Sequence, residues 1–200
     1  YPYHAFCTGI GTAVFDEESF SKWDYSDLMI TAGPYKNQRC TKELFEKLRK
    51  EDPDMYVVAF VMNEEEIDMA YAQPYVMVGS DCGFIEQAGH PRGAGTFPRI
   101  LGRYVRERKS LMEALKKMTL LPAQRVNLTH KGEVKEGYDA DLVIFDENTI
   151  IDRATFEEPT LPPEGISYVL LNGEIAVQNN EIVNGRLGTY IPYTPAAKRG

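Results

Sequence analysis

The sequence has few residues of the kinds that dominate metal sites, disulfide frameworks and nucleic-acid surfaces. Its 200 residues include three cysteines and three histidines, and none of them falls in a Cys-x-x-Cys, His-x-His or His-Glu-x-x-His pattern. With 30 acidic against 22 basic residues, a net charge of -8 and no run of Lys or Arg, the composition argues against a nucleic-acid-binding surface. The longest strongly apolar stretch, Met55–Met62, is too short to span a bilayer. We therefore expect neither a nucleic acid nor a membrane as a partner.

The three cysteines, Cys7, Cys40 and Cys82, cannot all pair with one another. Unpaired thiols without metal-ligand spacing are typical of a reducing compartment, so we expect a cytoplasmic protein. The sequence opens with Tyr1-Pro2-Tyr3-His4 rather than with an initiator methionine, and we expect a fragment of a longer protein. A fragment with uncovered sheet edges associates with copies of itself or with its missing half, and we expect one of these as a partner.

Residues 1–130 show the alternation of helices and strands that is typical of an α/β domain. Met55–Val61 is a β-prone run, Asn63 is a helix-capping residue followed by three glutamates, and the apolar run Tyr75–Gly79 follows Pro74. This order predicts a right-handed parallel crossover, the repeat of an α/β barrel or of a doubly wound sheet. The other predicted segments are a strand at Ser26–Thr31, a helix after Thr41, a loop at 83–99, and helices at Ile100–Arg108, Leu111–Met118 and Ala123–Asn127.

Residues 131–200 predict a different architecture, a small antiparallel β unit. The predicted strands are Glu133-Val134, Leu142–Phe145, Ile166–Leu171, Glu174–Gln178 and Glu181–Asn184. Asn172-Gly173 stands between two of these strands, and this dipeptide is a strong signal for a tight hairpin. Residues 194–200 predict a loose tail.

Asp81 stands directly after a predicted strand, in Val76-Met77-Val78-Gly79-Ser80-Asp81, and it has two interpretations. In a turn, its carboxylate would accept hydrogen bonds from neighbouring backbone N–H groups. In a barrel enzyme, catalytic groups lie at the carboxyl ends of the strands. There the carboxylate could bind a metal ion and take a proton from the attacking water.

Arg92, in His90-Pro91-Arg92-Gly93, also has two interpretations. It is either a solvated surface residue with weak ion pairs, or it grips a substrate carboxylate through two parallel hydrogen bonds. Pro91 stiffens the approach to this arginine, and Gly93 gives the following residues freedom to turn.

The remaining candidates keep both a structural and a functional interpretation. Tyr1 and Tyr3 either line a pocket with their hydroxyls or pack in the core. Met62 either fills a gap in the core or forms a soft wall for an apolar ligand group. The three histidines, His4, His90 and His130, are more typical of loops and caps than of metal sites.

Longer motifs resemble one enzyme family. Gly132-Glu133-Val134-Lys135-Glu136-Gly137-Tyr138-Asp139-Ala140-Asp141-Leu142-Val143 resembles the C-terminal signature of the amidohydrolase superfamily. The stretches ending in Asp81 and Gly93 are similar to those of N-acyl-D-amino-acid deacylases, the D-aminoacylases. The other similar segments are Tyr1-Pro2-Tyr3, residues 95–104 and Ala154–Glu157. The sequence therefore resembles the C-terminal portion of such an enzyme.

The resemblance implies a fold, a cofactor and four site residues. It implies the last part of a TIM-like, zinc-dependent barrel over residues 1–130, with the final barrel strand and an insertion, followed by part of a small antiparallel β-sandwich and a tail. Asp81 would bind metal and act as general base and acid, and Arg92 would hold the α-carboxylate of the substrate. Tyr3, rather than Tyr1, would assist Arg92, and Met62 would lie near the substrate side chain.

The resemblance also implies that most of the zinc ligands, a His-x-His pair, a cysteine and further histidines, lie outside this sequence. Cys82 stands where the family has glycine. We expect the parent enzyme to hydrolyse the amide bond of N-acyl-D-amino acids, and we expect this 200-residue chain alone to be inactive. Two alternatives stay open. The chain is a catalytically silent structural or assembly fragment, or the parent acts on cyclic amides, as dihydroorotases and hydantoinases do.

Overall fold

The structure, a computed structural model, describes residues 1–85, 88–108, 110–193 and 195. These residues form two compact units. The first consists of residues 1–74, 80–96 and 154–161, and the second consists of residues 75–79, 97–153 and those from 162 onwards. In the described ranges, every helix is too short or too polar to cross a membrane.

A three-stranded antiparallel sheet forms the centre of the first unit. Its strands are β1 (Phe6–Gly9), β2 (Leu28–Ile30) and β3 (Tyr56–Ala59), in the order β1-β3-β2. Val58 of β3 lies opposite Cys7 of β1 and opposite Met29 of β2. Because β3 is the middle strand, its apolar residues are covered on both sides, and Val57 and Val58 are fully buried.

The longer helices of this unit begin where the sequence supplies capping residues. Helices α1 (Glu17–Phe20), α2 (Lys42–Glu51) and α3 (Glu64–Ala72) are accompanied by short 3₁₀ turns at Ala13–Phe15, Tyr25–Asp27 and Gly33–Tyr35. The Thr41 hydroxyl accepts the Leu44 N–H at 3.2 Å, and the Asn63 side chain accepts the Glu65 N–H at 2.7 Å. The predicted helices after Thr41 and Asn63 are therefore confirmed.

The core of the first unit lies between α2 and one face of the sheet. Its buried members are Ile10, Phe15, Leu28, Ile30, Cys40, Phe45, Leu48, Val57 and Ala59. Aromatic rings pack edge to face around them, with the Phe20 and Phe45 centroids 4.9 Å apart. Trp23 packs on this cluster through Phe6 and Phe15.

The segment predicted as a loop, 83–99, contains regular structure, and that prediction is wrong. Strands β4 (Phe84–Ile85) and β5 (Ala88–Gly89) form a short hairpin, and helix α4 (Arg92–Arg99) follows Pro91. Proline is compatible with a helix start. Gly93 allows close packing at the start of α4, because a Cβ there would lie 2.6 Å from the Cys82 Sγ.

The second unit has a helical part with one irregular stretch. A π-helical segment (Ile100–Val105) is followed by α5 (Arg106–Arg108), α6 (Leu111–Met118) and α7 (Leu120–Arg125). Pro98 has no N–H to donate within its helix, and the wider helical turns begin two residues later. The helices predicted at Ile100–Arg108 and Leu111–Met118 are confirmed, and α7 begins and ends earlier than the predicted Ala123–Asn127.

The antiparallel β unit predicted after residue 130 is confirmed. Strands β6 (Leu142–Phe145), β7 (Ile166–Leu171), β8 (Glu174–Gln178) and β9 (Glu181–Ile182) form one sheet in sequence order. Asn172 and Gly173 have φ values of 50° and 82°, as the predicted tight turn requires. An apolar row, Val143, Val169, Val177 and Ile182, runs across all four strands in register, and its two outer members are exposed.

Three predictions about strands are wrong. Tyr75–Gly79 forms no strand; instead, the Val78 N–H donates to the Lys117 carbonyl at 3.1 Å. Lys117 Nζ donates to the Val76 carbonyl at 3.3 Å. Lys117, near the end of α6, therefore supplies hydrogen bonds that a neighbouring strand would otherwise provide. The parallel crossover is absent, since β3 pairs antiparallel on both sides. Glu133-Val134 is irregular.

The predicted tail, residues 194–200, lies outside the described residues except for Pro195.

Candidate functional site

Asp81 lies in an irregular segment of the first unit with its carboxylate directed to solvent. Its φ is 48°, in the left-handed region, which aspartate tolerates better than most residues. Its side chain is 83% exposed, and Oδ2 lies 3.4 Å from Nη2 of Arg92. Within the described residues, its recorded polar contact is this ion pair and not a cap on neighbouring N–H groups. The turn interpretation, in which the carboxylate caps neighbouring N–H groups, therefore has no support among the described contacts, and the functional interpretation stays a prediction.

Arg92 is the first residue of α4 and is buried, so its interpretation as a solvated surface residue is wrong. Its side chain is 7% exposed. Nη2 donates to the Cys7 carbonyl at 3.4 Å, and the ring centroid of Tyr1 lies 4.4 Å from the guanidinium carbon. Nε is buried, and it has no hydrogen-bond partner among the described residues. A buried guanidinium with long contacts and a spare donor is suited to bind an anion.

A cavity of about 450 Å³ lies beside this ion pair. Its lining residues all belong to the first unit: Cys7, Thr8, Tyr56, Asp81, Cys82, Gly83, His90 and Arg92. The volume is that of a small-molecule site. One cationic and one anionic side chain converge on it, so it has the polarity to orient a small acid.

His90 is held rigidly between α4 and the beginning of the chain. Its Nε2 lies 2.9 Å from the Ala5 carbonyl, and its Nδ1 accepts the Arg92 N–H at 3.0 Å. This pattern fits a neutral ring with the proton on Nε2. Burial, and secondarily the charge of Arg92, lower the pKa of His90 from 6.5 to about 3. Since both nitrogens are engaged, His90 is neither a metal ligand nor a proton carrier in this arrangement.

The two thiols that line the cavity are neutral. Burial raises the pKa of Cys7 to about 12 and also raises the pKa of Cys82, although the charge of Arg92 opposes the change in both. Cys82 donates toward the His90 carbonyl at 3.6 Å. Neutral thiols are poor metal ligands, because zinc binds the thiolate.

The described residues do not by themselves form a zinc site. Among them, no three His, Cys, Asp or Glu side chains lie close enough together to hold a metal ion. His4 packs against Phe60 and Phe156, and His130 packs against Tyr138. Among the residues that line the cavity, Asp81 carries the one carboxylate, and it is exposed. Zinc requires three or four protein ligands, so any further ligands would have to come from other parts of the protein.

The two tyrosines of the opening motif occupy different positions. Tyr3 is buried, with its ring 5.3 Å from His90 and 6.2 Å from Phe156. Tyr1 is half-buried, with its ring over Arg92 and its hydroxyl 3.6 Å from the Met62 sulfur. The structure thus joins Asp81, Arg92, Tyr1 and Met62 through successive contacts, and it joins Tyr3 to them through His90.

Sequence reasoning allowed for His90 as a cap but missed its contact with Ala5 and the contact of the Tyr1 ring with Arg92. The only local signal for His90 is its place two residues before Arg92, the spacing at which a side-chain acceptor can cap a backbone N–H. Its other partner, Ala5, is 85 residues away in the sequence, and no local pattern indicates that contact.

Three comparisons with known proteins agree with one another. The model of the amidohydrolase family matches residues 68–177, more than half of the chain. N-acyl-D-glutamate deacylase of Alcaligenes xylosoxydans xylosoxydans is 44% identical over 118 residues, which are 58% of this chain and 24% of that protein. D-aminoacylase of the same organism is 39% identical over 141 residues, which are 70% of this chain and 29% of that protein.

A solved structure of a similar enzyme matches the fold of this chain. N-acyl-D-glutamate deacylase from Bordetella bronchiseptica, complexed with zinc and a phosphonate mimic of the tetrahedral intermediate, superposes with a TM-score of 0.75 at 34% identity. The match covers 88% of this chain and 38% of that protein. The chain therefore spans about a quarter of the length of these curated relatives and less than half of this solved structure.

Proposed function

This chain belongs to the amidohydrolase family, and on that premise we propose that the whole protein hydrolyses the amide bond of N-acyl-D-amino acids. The names of the similar proteins support this substrate class. They do not support the cyclic-amide alternative, nor that of a silent structural fragment. The observation that carries the proposal is the buried Arg92 guanidinium, which lines a small-molecule cavity and whose Nε has no partner among the described residues.

In this proposal Arg92 binds the α-carboxylate of the substrate. Two parallel N–H···O bonds from a planar guanidinium match a carboxylate, and a buried cation gains more from an anionic ligand than an exposed one does. The ion pair with Asp81 is long and its carboxylate is exposed, so the substrate can replace that carboxylate without unfolding any element.

Asp81 acts as general base and acid once its carboxylate is free of Arg92. It takes the proton of the attacking water and delivers it to the nitrogen of the leaving amine, so the proton ends on the product D-amino acid. A carboxylate at a solvent-accessible position in the first unit has room for this exchange.

Zinc is the proposed cofactor of the whole protein, because the solved relative contains zinc. When bound, zinc would polarise the amide carbonyl and lower the pKa of water. Asp81 is the one described residue suited to contribute a ligand, and the remaining ligands would come from outside this chain.

Two further substrate contacts stay predictions. Tyr3 is proposed to assist Arg92, and Tyr1, whose ring lies over the guanidinium, is the second candidate for that role. Met62 is proposed to face the substrate side chain, and its contact with the Tyr1 hydroxyl supports a position near the carboxylate site.

The proposed architecture of the whole protein is a TIM-like barrel with a small β-sandwich. In this proposal residues 1–130 are the last part of the barrel with an insertion, and residues 131–200 belong to the sandwich and its tail. Exposed apolar residues on one face of the β6–β9 sheet, Val143 and Ile182, support a second layer. The partner that covers them is either the rest of the protein or a second copy. Three free thiols support the proposed cytoplasmic location.

The test uses the full-length, zinc-loaded protein with N-acetyl-D-amino acids and their L enantiomers. We expect hydrolysis of the D forms only, and we expect Asp81→Asn to lower kcat by at least about 100-fold, since general acid–base catalysis contributes about 10²–10⁴. Asp54→Asn, a matched change at an exposed residue, should leave kcat unchanged. Hydrolysis of the L forms alone, or full activity of Asp81→Asn, would contradict the proposal.

A further inference from the structure

We propose that His90 is a positioning residue that fixes the Arg92 guanidinium in the orientation needed to bind the substrate carboxylate. This inference rests on the proposed function of Arg92 and concerns how that function is maintained. The geometry of both imidazole nitrogens carries it.

His90 couples two segments that are distant in the sequence. Nε2 is fixed by the Ala5 carbonyl at 2.9 Å, just ahead of β1, and Nδ1 accepts the backbone N–H of Arg92 at 3.0 Å. Two residues after Ala5, the Cys7 carbonyl accepts a hydrogen bond from Nη2 of the Arg92 side chain at 3.4 Å. The backbone N–H of Arg92 is thus linked through His90 to Ala5, and its guanidinium is bound by Cys7, so both are held by the same short segment at the start of β1.

Aromatic packing leaves the imidazole no alternative position. The ring is 1% exposed, and three rings surround it at centroid distances of 5.1 to 5.7 Å: Phe156, Tyr3 and Tyr1. Tyr1 also stacks on the guanidinium. The imidazole therefore contacts both the backbone N–H of Arg92 and the Tyr1 ring that packs on the Arg92 side chain.

The position of His90 at the start of α4 explains why this support matters. The Gly93 N–H donates to the His90 carbonyl at 3.2 Å, and the Gly95 N–H donates to the Pro91 carbonyl at 2.8 Å. The Arg92 N–H precedes this regular pattern and would lack a partner without Nδ1. Loss of the Nδ1 acceptor would release the first turn of α4 and displace the Arg92 side chain. A displacement of about 1 Å at a binding group can lower the rate about 100-fold.

Two conservative substitutions separate the contacts of the imidazole. His90→Asn keeps an acceptor at the Nδ1 position, and an asparagine side chain commonly accepts the N–H two residues ahead. His90→Gln keeps a donor at the Nε2 position but loses the acceptor. His90→Ala loses both contacts, and His130→Asn is the control at an exposed histidine.

The experiment compares two substrates in the full-length, zinc-loaded protein. One is the N-acetyl-D-amino acid that the wild type cleaves best among D-glutamate, D-aspartate and D-leucine derivatives, and the other is its α-carboxamide. We expect His90→Gln and His90→Ala to lower the carboxylate-to-carboxamide ratio of kcat/KM by about 10- to 100-fold through KM. His90→Asn and His130→Asn should keep the ratio within about 3-fold.

A second measurement does not depend on activity. Hydrogen exchange of the Arg92 amide should be fast in His90→Gln and His90→Ala and slow in His90→Asn and the wild type, because only the latter two retain an acceptor. An equal loss of kcat/KM for both substrates would show a purely structural role and overturn the inference. An Arg92 amide that stays protected in His90→Gln would overturn it as well.

If the wild type cleaves no N-acyl-D-amino acid, the proposed function fails. The exchange measurement then still decides whether His90 holds Arg92.

Discussion

The buried His90 makes a quantitative prediction about pH and stability. The folded chain keeps its imidazole neutral, since burial and the nearby Arg92 charge lower the pKa to about 3 from an ordinary 6.5. Between these two values the unfolded chain binds a proton at this residue and the folded chain does not. Because the unfolded state binds more protons in this window, the free energy of unfolding rises with pH from about 3 to about 6.5. The stabilisation is fully present above pH 6.5 and is lost progressively on acidification.

The size of the effect follows from linkage. Each unit of pKa difference corresponds to about 1.4 kcal/mol, so the full window has an upper bound on the order of 5 kcal/mol. Between pH 6.5 and 4.5 the average excess of bound protons in the unfolded state is about 0.85, which gives about 2 kcal/mol. The carboxylates with lowered pKa values, Glu43, Asp141, Asp146 and Glu164, have ordinary values of 3.8 to 4.5. They act mainly below pH 4.5, so the histidine dominates this interval.

The assay is urea unfolding at pH 4.5, 5.5 and 6.5, followed by the fluorescence of Trp23. This tryptophan is the only one in the sequence, and it packs against Phe6 and Phe15 in the unit that contains His90. We expect the wild type to lose about 2 kcal/mol between pH 6.5 and 4.5. His90→Asn has no group that titrates at this position, so its free energy of unfolding should fall by less than half as much.

The test compares how steeply the free energy of unfolding changes with pH, and not its absolute value. A general destabilisation by His90→Asn therefore does not affect the result. His130→Asn is the control, and it should keep the wild-type slope. Equal slopes for the wild type and His90→Asn would refute the assignment of a buried, neutral imidazole.

Three further predictions follow from the contacts described. Arg92→Lys keeps the charge but loses the planar fork, so KM for N-acyl-D-amino acids should rise at least about 10-fold in steady-state kinetics, and an unchanged KM would contradict carboxylate binding. Gly102→Ala should destabilise the chain by about 1–3 kcal/mol in urea unfolding, because its Cβ would meet the Ile150 carbonyl, whereas Gly188→Ala, with open space around it, should be neutral. Thr41→Ala removes the α2 cap and should cost about 1 kcal/mol, detectable by thermal unfolding; no change would argue against the Oγ1 contact.

The sequence predicted those elements whose determinants lie within a few residues of each other. The caps at Thr41 and Asn63 act on residues two or three positions ahead, and Asn172-Gly173 closes its hairpin between adjacent strands. Such local contacts are visible in a single sequence. The family was also predicted correctly from motifs, as the match over residues 68–177 confirms.

The predictions that failed depended on distant partners. Tyr75–Gly79 has a strand-like composition, but a strand needs a neighbouring strand, and here Lys117 supplies the hydrogen bonds. The direction of β3 is set by β1 and β2 on either side, and strand composition carries no information about pairing direction. Gly93 predicts freedom to turn, whereas in the structure it lies in the first turn of a helix and the Phe84 ring and the Cys82 sulfur pack against it.

The candidate site was predicted in part for the same reason. Asp81 and Arg92 stand in recognisable motifs, and the structure brings their charged atoms to 3.4 Å. His90 was assigned only to loops and caps, because its contact with Ala5 spans 85 residues. The contact of the Tyr1 ring with Arg92 is also not predictable from the sequence, since a short segment does not show which ring turns toward an arginine.

The asymmetry of the Asp81–Arg92 pair distinguishes it from an ordinary stabilising salt bridge. An ion pair with an 83% exposed carboxylate contributes about 0–1 kcal/mol, whereas removing a guanidinium from water costs several kcal/mol. The pair therefore does not compensate for the burial of Arg92. The Cys7 carbonyl and the Tyr1 ring compensate for part of it, and in the proposed function an anionic ligand in the cavity would add to them and replace the distant Asp81 oxygen. In the proposed function the arginine is fixed and its partner is exchangeable, so substrate binding would also release Asp81 for proton transfer.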